Sequence, residues 1–434
     1  MGNSTENQDT PPSVSLRESF RYWFKLGFIN FGGPAGQIAM MHKDIVESRG
    51  WIDGKLFLRA LNFCMLLPGP EAHQLAVYIG WRLNGYLGGA IAGLCFLFPA
   101  MILMLFLSWL AAAQGRVPAV SGIFHGISAA VVAIVIEALF RLSKKSLKHS
   151  ALYIFAGIAF LLGQFFNVSF PVIVCLAGIT GTLLARFRPE IFCYRNAGSK
   201  ECALEEPKVA PKLPSIFHVG KMVLVFAGIW GAVVLPILAW RGLSDTLSLV
   251  SIFFTKAAFV TFGGAYAVLA YIAENAVQLG WLTEQHMLLG LGLAETTPGP
   301  LIMVTQFVGF FAAWNIPGSL SPLTAGILGG LLTTFATFLP SFMFIFAGAP
   351  YIEAITSNKK FEAALTGISA AVVGVVLKLG VFFAWNTFFP AGKVDYFALL
   401  VAAAALFALL RLKISMHALV GLSGGVGLLW QLAR

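Results

Sequence analysis

Charge is what this chain has least of: 19 Asp and Glu and 29 Lys and Arg in 434 residues, 11% in all, against 58% hydrophobic. A soluble domain usually carries about a quarter charged residues, so a water-soluble enzyme or binding module is excluded as the main reading. Cysteine is also scarce. Cys64, Cys95, Cys175, Cys193 and Cys202 have neither a paired framework nor zinc-site spacing, which sets aside a disulfide scaffold and a metal module. The chain lacks a glycine-rich phosphate loop ending in Lys-Ser or Lys-Thr, and it lacks a His-Glu-x-x-His pair. It is therefore read as no enzyme, with no cofactor and no metal. Residues 1–18 are polar, contain two prolines and have no apolar core, so no cleaved signal peptide is visible. Glu6 stands where an N-myristoylation site requires Ser or Thr.

What the chain does have is apolar sequence in runs of membrane-spanning length, with a mean hydropathy of +0.82. These runs repeat. Lys25-x-x-Phe28-x-x-Phe31-Gly32-Gly33 returns as Lys256-x-x-Phe259-x-x-Phe262-Gly263-Gly264, and Gly50-Trp51 returns as Gly280-Trp281. Pro68-Gly69-Pro70 matches Pro298-Gly299-Pro300, Pro99 matches Pro340, and Gly126–Val132 recurs letter for letter as Gly367–Val373. Landmarks kept in order over such distances mark two homologous halves.

The expected fold is an all-α polytopic membrane protein whose halves are inverted-topology repeats. It has about thirteen hydrophobic segments, fewer if the Pro-Gly-Pro segments are re-entrant, with broken helices at the centre. The expected divisions are a polar tail (1–18), a first repeat (19–186), a cytoplasmic linker with one unpaired transmembrane segment (187–246) and a second repeat (247–434). A linker of about 35 residues is too short for a signalling domain, which usually needs about 50; that disfavours a receptor or scaffold. The basic stretches Arg141–Lys148, Arg186–Lys221, Lys359-Lys360 and Arg411/Lys413 all fall on the cytoplasmic side of this topology. Orientation thus accounts for the net charge of +10, and no nucleic-acid partner is expected. Gly85, Gly88 and Gly89 permit helix contacts compatible with a homodimer.

Function is expected at the breaks. Pro-Gly-Pro removes backbone donors and frees φ, so a helix arriving at Leu67 stops, and Pro70 suits the first position of the next helix. Freed N–H groups inside a bilayer are tolerated where they line a cavity or are covered by protein. Paired interruptions in two halves point to a transporter's binding site, and helix starts there favour an anion. The candidate substrate-binding residues are Lys25, Gly32, Gly33, Gly69, Pro70, Glu71, Gln74, Lys256, Gly263, Gly264, Glu295, Thr297, Gly299 and Pro300. Lys25 and Lys256 either partner the anion or snorkel to the interface. Glu71 either caps its helix or exchanges a proton, Asn62 and Thr296 are further neutral donors, and His42 and His73 are either pH-sensitive or locally bonded. Glu137 and Lys378, at equivalent repeat positions, are expected to pair across the pseudo-symmetry axis.

The stretches Phe31-Gly-Gly-Pro-Ala-Gly36, Leu66-Leu-Pro-Gly-Pro-Glu-Ala72, Phe262-Gly-Gly-Ala-Tyr-Ala267 and Ala294-Glu-Thr-Thr-Pro-Gly-Pro300 resemble the chromate ion transporter family in its long, two-domain form. The resemblance covers nearly the whole chain beyond the tail. It implies a bacterial inner-membrane protein exporting chromate, conferring resistance, with oppositely oriented halves. Chromate and sulfate are both tetrahedral dianions, so an importer or exchanger of sulfate or another oxyanion is the alternative.

Overall fold

Ser15 and Glu18 form a capping pair, the Ser15 hydroxyl accepting the Glu18 N–H, and the first helix follows directly. The computed structural model describes residues 14–115, 117–192, 215–260, 262, 264–352 and 359–433. Gly263 and most of the linker, with Cys193 and Cys202, lie outside the described residues. The helices of the first half are α1 (Leu16–Ile29), α2 (Gly33–Met41), α3 (Gly54–Leu66), α4 (Glu71–Gln114), α5 (Pro118–Ser146), α6 (Ser150–Phe165) and α7 (Phe170–Leu184). A short α8 (Pro189–Phe192) precedes the linker, and α9 (Ile216–Arg241) is the unpaired segment. The second half has α10 (Thr246–Val260), α11 (Ala265–Gln278), α12 (Glu284–Thr296), α13 (Val304–Asn315), α14 (Pro322–Gly348), α15 (Lys359–Phe388), α16 (Tyr396–Phe407) and α17 (Met416–Leu432).

Four helical hairpins replace the broken but traversing segments. Glu18 near the start of α1 meets Arg49 beyond α2 at 3.6 Å, and the Tyr22 and Trp51 rings lie 5.2 Å apart, so the chain doubles back at Gly32-Gly33. Phe253 of α10 lies 5.3 Å from Trp281 in the repeat-related hairpin. Phe63 of α3 faces Tyr78 of α4 at 6.4 Å, and Phe307 of α13 lies so close over Gly290 of α12 that no Cβ fits. The Pro-Gly-Pro turns are therefore re-entrant, and the Gly-Gly turns are too. α4 itself folds back: its backbone leaves helical geometry at Asn84 and Gly85, and Gly80 on the first arm touches Gly88 and Ala92 on the second.

Five described helices, α4, α5, α9, α14 and α15, are long and apolar enough to cross a membrane, and α6, α7, α16 and α17 are shorter apolar helices that lie beside them in chain order. Counting one crossing each for the second arm of α4, α5 to α7, α9 and α14 to α17 leaves Arg141–Lys148, Arg186, Lys221, Lys359-Lys360 and Arg411/Lys413 on one side, with the odd α9 inverting the second half. The count falls below thirteen because a Gly or Pro break ends a helix without fixing where the chain goes next.

The two halves interlock by exchange. α5 of the first half packs on α16 and α17 of the second, and α15 packs on α6 and α7 of the first. The seven-residue repeat makes both contacts: Gly126 lies against the Ser423 carbonyl, and Gly367 against the Ala177 carbonyl. The second arm of α4 and α14, each with its internal proline (Pro99, Pro340), pack against one another in the middle. Away from this framework the halves differ. α12 is buried over Met287–Glu295 and packs on α5, whereas α3 buries only Phe57, Ala60, Phe63 and Cys64. α11 likewise packs on α15 of its own half, a contact that α2 does not match against α5.

Candidate functional site

The hairpin tips meet crosswise in the middle of the molecule. Pro68, Gly69 and Pro70 are buried, as are Thr297 to Pro300, in contrast to the surface turn at Phe165-Phe166, which is about 70% exposed. Gly69 and Gly299 have φ of 125° and 109°, open to glycine and strained for other residues. Each also lies where a side chain would collide. A Cβ on Gly69 would stand 2.7 Å from Ser341 Oγ, and one on Gly299 would stand 2.5 Å from Ala100 Cβ. Ser341 follows Pro340 and Ala100 follows Pro99, so each tip rests on the proline-bearing helix of the opposite half.

A side-chain latch joins the Gly-Gly hairpin of one half to the Pro-Gly-Pro tip of the other. Gln37 on α2 donates from Nε2 to the Asn30 carbonyl at 2.9 Å and to the Gly299 carbonyl at 2.6 Å. The Gly299 N–H in turn donates to the Asn30 carbonyl at 3.3 Å. The converse approach brings Glu71 to Gly264, where an added Cβ would lie 3.7 Å from Glu71 Oε1. Around these contacts polar atoms are buried without partners: both amide atoms of Asn30, Oε1 of Gln37, and Oε1 of Gln74, whose Nε2 donates to the Pro68 carbonyl. Buried amides left this way are uncommon and mark a place where a ligand or water completes the bonding.

Carboxylates flank the tips. Glu295 is buried and accepts a hydrogen bond from the Tyr266 hydroxyl of α11. Arg141 and Glu137 on α5 lie within electrostatic reach of Glu295, and the Arg141 side chain is 44% exposed. The first N–H groups of α4, and those of Leu301 and Ile302, lie at helix starts, where no carbonyl of the same helix can accept them. Together they offer amide, backbone and guanidinium donors to an oxyanion, with two carboxylates to moderate the charge.

Several sequence-predicted residues lie elsewhere. Lys25 and Lys256 are exposed, on the sides of α1 and α10 away from the buried residues of those helices. Gly32 is exposed and Gly33 and Gly264 are partly so, at tips less enclosed than the Pro-Gly-Pro turns. The Thr297 hydroxyl donates to the Ala294 carbonyl and that of Thr296 to Leu293, both turned back along their own helix. His42 bonds Glu47 at 3.0 Å, His73 is buried among Phe96, Phe338 and Phe342, and Asn62 is exposed. The expected pairing of Glu137 with Lys378 does not occur: Glu137 faces Arg141, one turn along at 3.7 Å, and Lys378 donates to Glu274 at 2.8 Å. Helix α5 does touch its counterpart α15, where Gly380 lies against Val135, but Glu137 is taken up by Arg141 of its own helix and Lys378 by Glu274 of α11. Sequence reasoning missed Asn30, Gln37, Tyr266 and Arg141. The first two carried a usable signal, since lone amides seven residues apart flank the Gly-Gly turn.

The chromate transporter family matches residues 17–182 and 248–428, the two halves. A chromate transport protein of Pseudomonas aeruginosa is 32% identical over 84% of this chain and 80% of its own length. One of Cupriavidus metallidurans is 28% identical over 85% and 82%, and a probable chromate transport protein of Synechococcus elongatus is 27% identical over 84% of each. No solved structure matches.

Proposed function

The chain belongs to the chromate transporter family, and from that premise we propose that it is a secondary transporter exporting chromate across the bacterial inner membrane, giving resistance. The observation that carries this reading is the crosswise latch, in which Gln37 holds Asn30 and the Gly299 tip together beside buried amide atoms that lack partners. The substrate site we assign lies at the four tips. Backbone N–H groups over Gly69–Ala72 and Gly299–Ile302 and the Asn30 amide would donate to the anion. Gln74 would hold its turn in shape, and Glu71 and Glu295 would tune the local charge, offset by Arg141. Lys25 and Lys256, two turns ahead of the glycines, would act at longer range on approach.

Alternating access is supported by the unequal packing of the halves. The hairpins of the second half are packed onto α5 and α15, while those of the first half stand less covered. In an inverted repeat, two such arrangements exchanging roles would open the tips first to one side and then to the other. Exit needs no ATP. A dianion leaving a cell that is negative inside gains about 4.6 kcal/mol per 100 mV, twice the single-charge value, roughly a two-thousandfold concentration ratio. Labelled chromate flux in proteoliposomes, with an imposed potential and with competing sulfate, tests the proposal. Potential-driven chromate movement that sulfate blocks only in excess is expected. Sulfate flux with no chromate flux would overturn it in favour of a sulfate carrier.

A further inference from the structure

On the side away from the basic stretches, a cavity of about 440 Å³ opens between the α6–α7 turn, α11 and α15. Its wall carries Gln164, Asn167, Glu274, Lys378, Trp385 and Asn386. That volume falls within the range of small-ligand pockets, about 300–1,000 Å³, with room for a tetrahedral anion and several waters. Lys378 sits about two-thirds of the way along α15, within a spanning helix, with 19% of its side chain exposed. A lysine there is costly to insert, and such residues face pathways or partners. Its partner is Glu274 at 2.8 Å, which takes one of three ammonium N–H donors. Glu274 is 40% exposed and can swing aside without unpacking a core.

We propose that this cavity is an outward-side oxyanion site in which a tetrahedral dianion and the Glu274 carboxylate compete for Lys378. The inference rests on the transport reading and adds to it a second, weaker stop on the way out. A release site must hold its ion briefly and then give it up. An internal carboxylate that reclaims the cation does this without moving a helix. The repeat supports the direction: the position equivalent to Lys378 is Glu137, so the cation is placed on one side only.

Trp385 provides the readout, because chromate absorbs where indole emits. Chromate quenching of the purified full-length protein is titrated, the Trp385→Phe protein is subtracted, and sulfate is added as a colourless competitor. A saturable Trp385 component displaced by sulfate is expected. Lys378→Gln should weaken it by at least tenfold, and Glu274→Gln should tighten it by about tenfold. The neutral pair Lys378→Gln/Glu274→Gln keeps the shape of the contact and should also lose binding, so misfolding of the single variant cannot imitate the result. An unchanged curve in both lysine variants, or weaker binding in Glu274→Gln, overturns the assignment. The two readings fail separately. Absent flux in wild-type proteoliposomes defeats the transport proposal, whereas flux without a Trp385 component defeats the cavity proposal alone.

Discussion

Replacing Gly299 with alanine tests the tip geometry directly, because two penalties at that position can be separated. The first is backbone: φ is 109°, and holding a residue with a Cβ in such a region costs about 1–3 kcal/mol. The second is steric: the new Cβ would stand 2.5 Å from Ala100 Cβ, more than 1 Å inside ordinary contact, and overpacking of that kind costs about 1–3 kcal/mol. Both fall on the docked tip, whose population drops tenfold for each 1.4 kcal/mol. Chromate flux per protein should therefore fall by well over tenfold in Gly299→Ala. Adding Ala100→Gly removes the collision but leaves the backbone strain. The double variant should recover about fivefold or more of the loss and still trail wild type. Flux in proteoliposomes, normalised to reconstituted protein and checked by size-exclusion profile, measures this. Wild-type flux in Gly299→Ala would refute the claim that the tip must sit on the proline-bearing helix. Loss unrelieved by Ala100→Gly would refute the collision as its cause.

Gln37→Ala leaves the Asn30 and Gly299 carbonyls without their shared side-chain donor, at about 1–3 kcal/mol for a buried group left unpaired. Flux in the same assay should drop by about tenfold at normal expression; wild-type flux would mean the latch is incidental. Stability should separate two helical glycines. A Cβ on Gly126 would lie 1.9 Å from the Ser423 carbonyl oxygen, whereas Gly157 has nothing within 4 Å. Gly126→Ala should lower the melting temperature by several degrees and Gly157→Ala should leave it level or raise it slightly. Equal shifts would deny that the exchange interface holds the halves together.

Much of this architecture was legible because the repeat preserves residues with backbone duties. Gly69 and Gly299, Pro99 and Pro340, and the heptapeptides at 126 and 367 all sit where a chain turns or where two backbones touch. Patterning therefore located the tips. It did not say that the chain returns, because the direction after a break is set by Ser341 or Ala100, more than 150 residues away in sequence. The lysines show the converse limit. Spacing put Lys25 two turns before Gly32, but Trp23, Leu26 and Asn30 share the buried side of that segment and turn Lys25 outward. Arg141 was read as part of a basic loop, since nothing local tells that α5 continues to Ser146 with Arg141 within electrostatic reach of Glu295.

One small mismatch between the repeats shows how strongly the hairpin geometry is held. From Phe31 to Trp51 is one residue longer than from Phe262 to Trp281. In an uninterrupted α-helix the extra residue would rotate everything beyond it by about 100°. The first half instead carries a π-helical stretch, His42–Ser48, which takes up a residue within a helix. Trp51 is thereby returned to Tyr22, as Trp281 is held against Phe253 and Phe254. The insertion is absorbed at the base of the hairpin, and the glycine tip keeps its reach. The distance from tryptophan anchor to tip is therefore a constraint on both halves, as expected if both tips must arrive at one shared place.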